Sequence, residues 1–343
     1  MPVNETLAHY STWCYGSATG VYVLAMLFCL AEGAFSRVKQ GARSASPARE
    51  LVGAGGPSAV GTDTTDSTDT STTEPAEVRP APHIGRTVEV KRPLPERLGR
   101  MGVALLILGL ALHLIAIVLR GVATDRPPWG NMYEYMSVLC FVALSTWTVL
   151  MRKFPIRRAT GFVLVPVVIL LFLGGTVLYT AAEPVEPALQ SYWLAIHVTV
   201  VSAASGVLLV PGVASVLYLI RTAYDRNNNR FARLGPKLPT ADTLDRLAYR
   251  TTIFGLPMFT FGVICGAIWA DSAWGHYWQW DPKETTAFVA WVIYAAYLHS
   301  RATAGWRGTR AAIINALGFA VMIFNLFFIN LVVTGLHSYA GVG

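Results

Sequence analysis

Charge is scarce in this chain. Asp, Glu, Lys and Arg make up only 14% of 343 residues, while 53% are hydrophobic, a balance that excludes an ordinary soluble globular protein. Cysteine is rarer still. Cys14, Cys29, Cys140 and Cys265 form no CxxC, and three of the four fall within apolar runs, which argues for small apolar side chains and against a thiol–disulfide or zinc role. Cys14 lies outside those runs and reads as an accessible thiol. The chain shows no repeat of fixed period. Its first apolar run lacks both a basic leader and a small-residue cleavage site, so no cleavable signal peptide is expected.

What the chain has in quantity is long apolar runs, at roughly 17–35, 101–120, 132–151, 160–180, 192–220, 251–270, 285–300 and 311–334. Each is near the ~20 residues that cross a bilayer as a helix. The expected fold is therefore an all-α polytopic membrane protein of about eight transmembrane helices. Seven is the alternative count, because the first run is short and holds Glu32 near its end.

The formal net charge of +7 is distributed in a way that points to a membrane rather than to nucleic acid. Basic residues gather on alternate connections: Arg37, Lys39 and Arg43 with Lys91, Arg92, Arg97 and Arg100; Arg152, Lys153, Arg157 and Arg158; seven between Arg221 and Arg250; then Arg301, Arg307 and Arg310. The opposite connections hold Glu183, Glu186, Asp271, Asp281 and Glu284, with Arg120, Arg126 and Lys283 as the basic exceptions. The positive-inside rule then puts both termini outside the cytoplasm. An eight-helix count requires the same arrangement.

Composition also divides the chain. Residues 1–43 read as an accessory N-terminal helix. The stretch 44–91, which includes GTDTTDSTDTSTTEPAE, has too little apolar content to offset chain entropy and reads as a disordered cytoplasmic linker. Residues 92–343 form the seven-helix functional unit, with 221–250 expected as a cytoplasmic loop bearing a short amphipathic helix.

Between two apolar runs lies WGHYWQWDPKE at 274–284. One Trp or Tyr there would be ordinary interfacial decoration, but Trp274, Trp278 and Trp280 are three tryptophans in seven residues. They suggest a flat apolar surface with hydrogen-bonding edges, suited to a large planar amphiphile such as a porphyrin. His197 opens the fifth run, and His337 follows the last one. Topology places both at the outer face beside the Trp loop, where two imidazoles can supply both axial positions of a haem iron. Either residue alone would read as a hydrogen-bonded structural histidine.

His299 differs from that pair. Seventeen residues beyond Pro282, it lies roughly 25 Å deeper, near the cytoplasmic end, as a functional intramembrane group or a snorkelling one beside Arg301. His113, in mid-run, is open between packing and function. His276 either touches a ligand edge or faces solvent, and His9 and His83 read as inert. Asp281-Pro282-Lys283-Glu284 has the form of an N-cap, a helix-opening proline and a capping-box glutamate, a structural role that also orients the tryptophans. Asn131, Tyr133 and Glu134 head the third run, where Glu134 is favoured electrostatically.

On WGHYWQWDPKETTAF at 274–288, LQSYWLAIHV at 189–198, YLHSR at 297–301, GLHSYAG at 335–341 and GNMYEY at 130–135, the chain resembles the CcsA/ResC family of cytochrome c biogenesis proteins, called CcsB in some bacteria. The family belongs to a wider haem-handling group with a Trp-rich outer loop. The resemblance covers most of residues 100–343 and leaves out the linker. It implies that His197 and His337 ligate haem beside Trp274, Trp278, Trp280 and Asp281, and that His299 serves an inner haem site. It further implies haem b as cargo, a bacterial plasma-membrane location, and a ResB/CcsB-type membrane partner together with apocytochrome c. The chain would then be a subunit of a haem lyase (holocytochrome c synthase) complex that presents haem to CxxCH thiols. A haem transporter without ligase chemistry and a b-type electron-transfer protein are the alternatives; the latter calls for paired histidines at matched depth inside the bundle.

Overall fold

The computed structural model describes residues 3–44, 93–183, 191–303 and 306–337. The expected linker with His83, and Glu186, Gln190 and the tail of GLHSYAG, lie outside the described residues. The helices are α1 (Glu5–Ser44), α2 (Leu94–Thr124), α3 (Met132–Lys153), α4 (Thr160–Thr176), α5 (Tyr192–Arg226), α6 (Ala241–Trp274), α7 (Pro282–Ala302) and α8 (Thr309–Phe324). α8 runs on through a π turn, Asn325–Ile329, into a last helical turn, Asn330–Val332. No strand occurs among the described residues.

The protein is an all-α polytopic membrane protein. Seven of the helical segments are both long and apolar enough to cross a bilayer, and α7 is the one outside that set. At 21 residues it would still reach roughly 31 Å. Its apolar content is lower because Lys283 and Glu284 open it and His299 and Arg301 close it.

The largest core joins Tyr15 and Tyr22 of α1 to Leu106 of α2, Met136 and Trp147 of α3, Leu164 of α4 and Leu209 of α5. α1 thus packs directly into the bundle, along α2 and α4. Apolar side chains gain little by leaving lipid for one another, so close approach through small residues carries much of the packing. The α5–α6 pair shows how. Gly255, Gly262 and Gly266 form a stripe on α6 that meets Leu208, Val201 and His197 of α5 in antiparallel order, and a Cβ at Gly255 or Gly262 would lie only 2.6 Å from its partner side chain.

The segment 221–250 differs from expectation. α5 continues to Arg226 and α6 begins at Ala241, so only about half of it is loop, with a 3-10 turn at Gly235–Lys237. Residues 241–250 are the first turns of α6, capped by the Thr240 side chain accepting from Thr243 N at 3.4 Å. An uninterrupted helix replaces the separate amphipathic one.

Candidate functional site: a cavity of histidine and tryptophan

α6 ends at Gly275, whose φ of +79° suits a residue without a Cβ. The chain then crosses to α7 through the Trp-rich loop. Trp280 has a φ of +60°, a conformation uncommon for a bulky residue and held only where surrounding structure imposes it. What imposes it here is the start of α7. Asp281 accepts from Lys283 N at 3.1 Å, while the Glu284 carboxylate accepts from Asp281 N at 3.3 Å and Gln279 N at 3.1 Å. The expected capping box is present.

The same Asp281 carboxylate also binds the far end of the chain. It accepts from Leu336 N at 2.7 Å and from His337 Nδ1 at 2.9 Å. Burial alone would raise the Asp281 carboxyl. The hydrogen bonds from His337, Leu336 and Lys283 outweigh that effect and hold it below its ordinary value.

His197, in the second turn of α5, donates from Nδ1 to the Gly262 carbonyl at 2.7 Å. Gly266 leaves the space for its ring, since a Cβ there would lie 2.5 Å from His197 Cε1. Because a carbonyl and a carboxylate can only accept, both His197 and His337 carry their proton on Nδ1. In the neutral ring, Nε2 is then the basic nitrogen, as in metal-ligating histidines oriented by an outer partner.

Both imidazoles flank one buried indole. His197 stacks on Trp269 with ring centroids 6.4 Å apart, His337 lies 6.3 Å from the same ring, and Trp274 is 4.8 Å from Trp269 and 5.2 Å from His337. His197, His337, Trp269, Trp274 and Trp278 all line a single cavity of about 470 Å³ between α3, α5, α6, α7 and α8. A mostly apolar cavity of this size with a few converging polar groups is typical of small-molecule and cofactor sites.

Other expected residues sit elsewhere. Trp280 is 65% exposed and turns outward, its ring edge-on to Trp278 at 5.8 Å and Phe288 at 6.1 Å. Asp281 acts on the cavity through His337. His299 is exposed at the opposite end of α7. His113 is fully buried, with Nε2 2.9 Å from Ser137 Oγ and Nδ1 3.4 Å from Tyr22 OH, edge-on to Tyr15, Tyr22 and Phe141. His113 thus sits among side chains of α1 and α3 and does not line the cavity. His276 is half-buried and lies 6.4 Å from Trp274.

Several contacts escaped the sequence reading, which placed Asn131 and Glu134 at the head of the third run without their partners. Glu134 is buried and holds two cations, Arg120 at 2.8 Å and Arg126 at 2.8 Å, so two of the basic exceptions share one carboxylate inside the fold. Their signal was that exception itself. Asn131 accepts from Glu134 N at 3.0 Å, and Tyr135 OH lies 3.1 Å from Ser205 Oγ; both residues line the cavity. So do Asn325 and Asn330, which bracket the π turn, a local widening frequent at functional sites.

The fold and cavity define a class, the polytopic helical membrane protein with a cavity of histidine and tryptophan at one end of its bundle. Residues 129–337 match the family model described as cytochrome C assembly protein, and the chain belongs to that family. It is similar to the cytochrome c biogenesis protein CcsA of Parasynechococcus marenigrum (strain WH8102), with 34% identity over 266 residues, 70% of this chain and 87% of the relative. The CcsA of Chlamydomonas reinhardtii is 36% identical over 247 residues, 70% of this chain and 67% of its own length. That of Mesostigma viride is 34% identical over 235 residues, 62% and 77% respectively.

Proposed function

We propose that this chain acts in cytochrome c biogenesis, with haem b as its cargo. His197 and His337 hold the haem at the outer face of the membrane, beside Trp274 and Trp278, and present its vinyl edge to the CxxCH thiols of an unfolded apocytochrome c. The observation that carries this reading is the pair of imidazoles in one aromatic cavity, each with Nδ1 committed as a donor and Nε2 left as the basic nitrogen. Neutral imidazoles with that tautomer are suited to axial ligation of iron. The contribution to thioether formation is proximity. Holding the vinyl group and thiol together removes much of the entropic barrier, and no side chain here needs to act as acid or base.

His299 forms part of an earlier, cytoplasmic-side stage, and a ResB/CcsB-type membrane partner shares the work and supplies a second inner ligand. The membrane in this reading is a bacterial plasma membrane. Together the two proteins form a haem lyase, of which this chain is the haem-presenting subunit.

The outer site is tested by the absorption spectrum of purified protein. His197→Gly and His337→Gly should each lower haem retention or alter the spectrum, and added imidazole should partly restore it by filling the vacant axial position. Unchanged spectra and unimpaired cytochrome c maturation in both variants would refute the assignment.

A further inference from the structure

One cation on the cavity wall is in no ion pair among the described residues. Lys283, in the first turn of α7, faces the cavity, and its Nζ donates to the Asn330 side-chain oxygen. The two carboxylates next to it in sequence are committed: Asp281 to the helix cap, Leu336 and His337, and Glu284 to the Asp281 and Gln279 amides. Lys283 is half-buried and feels the Asp281 charge without an ion pair to it; holding an ammonium partly out of water without a paired charge is unfavourable, so its place on the cavity wall points to an anion carried by what the cavity binds.

The surroundings hold Lys283 in position for that task. Asn330 is fixed by donating to Leu326 O at 2.8 Å and Asn325 O at 3.2 Å, and Asn325 donates to the Lys283 carbonyl at 3.4 Å. These contacts span the π turn, whose extra width brings two asparagines to one wall. The Asn325 Oδ1, also on that wall, is buried without a hydrogen-bond partner.

We propose that Lys283, oriented by Asn330 and supported by Asn325, is a carboxylate-binding residue that holds a propionate of the porphyrin and so fixes which edge of the macrocycle faces outward. This rests on the haem reading above and adds an orientation to it. A porphyrin held only by two axial imidazoles can rotate about the line joining them. A propionate fixed on Lys283 removes that freedom and sets where the vinyl groups lie.

The test is a binding cycle with two probes, haem b and haem b dimethyl ester, titrated by absorption into purified wild-type protein and into Lys283→Met and Lys283→Gln. The Gln variant keeps a donor for Asn330 while removing the charge. Haem b should bind both variants roughly tenfold to a hundredfold more weakly than wild type, the range for one charged hydrogen bond, whereas the diester should bind all three proteins equally. Equal diester binding also shows that the variants keep a folded cavity. A similar loss for both porphyrins would mean that Lys283 serves the fold or an anionic lipid headgroup, and would overturn the proposal, as would undiminished haem b binding in the variants. Wild-type protein that bound neither probe would instead overturn the haem reading itself.

Discussion

At the scale of single residues, one carboxylate joins the loop, the helix start and the turn that follows α8. Asp281 caps α7 and holds His337, so a capping reading and a functional reading of it do not compete. Asp281→Asn should keep part of the cap, yet loosen His337 and weaken haem retention, which a spectrum at matched protein concentration will show. The pH sign follows from the depressed carboxyl. Its contribution to stability is fully present above the unfolded-state value of about 3.8 and is lost as pH falls through the lower folded-state value. The wild-type advantage over Asp281→Asn in thermal unfolding should therefore shrink only in strong acid. His113 calls for the opposite outcome. Packed and hydrogen-bonded on both ring nitrogens, it should cost roughly 2–4 kcal/mol of stability as His113→Ala, through a cavity and stranded polar partners. The haem spectrum of the variant that still folds should be unchanged.

At the scale of elements, the glycine stripe of α6 determines where His197 can be. Gly266→Ala puts a methyl group onto the His197 ring, and either the ring or the helix must shift. The expected result is a weakened haem spectrum together with a lower unfolding temperature, and an unaltered spectrum would show that α5 and α6 can separate without moving the ligand. The Arg120–Glu134–Arg126 cluster plays a similar part for the loop that leads into α3. Glu134→Ala would strand the buried Arg120 and the half-buried Arg126, at about 3–5 kcal/mol for a broken buried pair, and should be rescued far better by Glu134→Asp than by Glu134→Gln. Thermal unfolding in detergent distinguishes these variants.

These elements also show what a sequence can disclose. Apolar runs gave the helices, and local spacing gave the Asp281 cap, because both are written within a few consecutive residues. The direction of Trp280 was not legible, since it depends on a positive φ set by contacts with Glu284 and Thr285. Nor was the tie from Asp281 to His337, which joins positions 56 residues apart. The π turn and the length of α6 were hidden for a related reason. Hydropathy reads composition, whereas a helix continues through polar turns when caps and neighbours satisfy its backbone.

At the scale of the whole molecule, every site assignment depends on which side of the membrane the cavity opens. The case for the outer side is one of charge. Arg226 ends α5, Arg230, Arg233 and Lys237 follow in the α5–α6 connection, and Arg307 precedes α8 with Arg310 in its first turn; the cavity end holds Arg120, Arg126 and Lys283. Glu134 offsets one of those three positive charges within the fold, and the smaller number of basic residues at that end than at the other favours its placement outside the cytoplasm. We therefore expect Gln279→Cys, in the exposed Trp loop, to react in intact cells with a membrane-impermeant maleimide. Asn228→Cys, in the exposed α5–α6 connection, should react only after the membrane is opened, with wild-type protein giving the background from Cys14. The reverse pattern would move His197, His337 and Lys283 to the cytoplasmic side, where they would receive haem rather than present it.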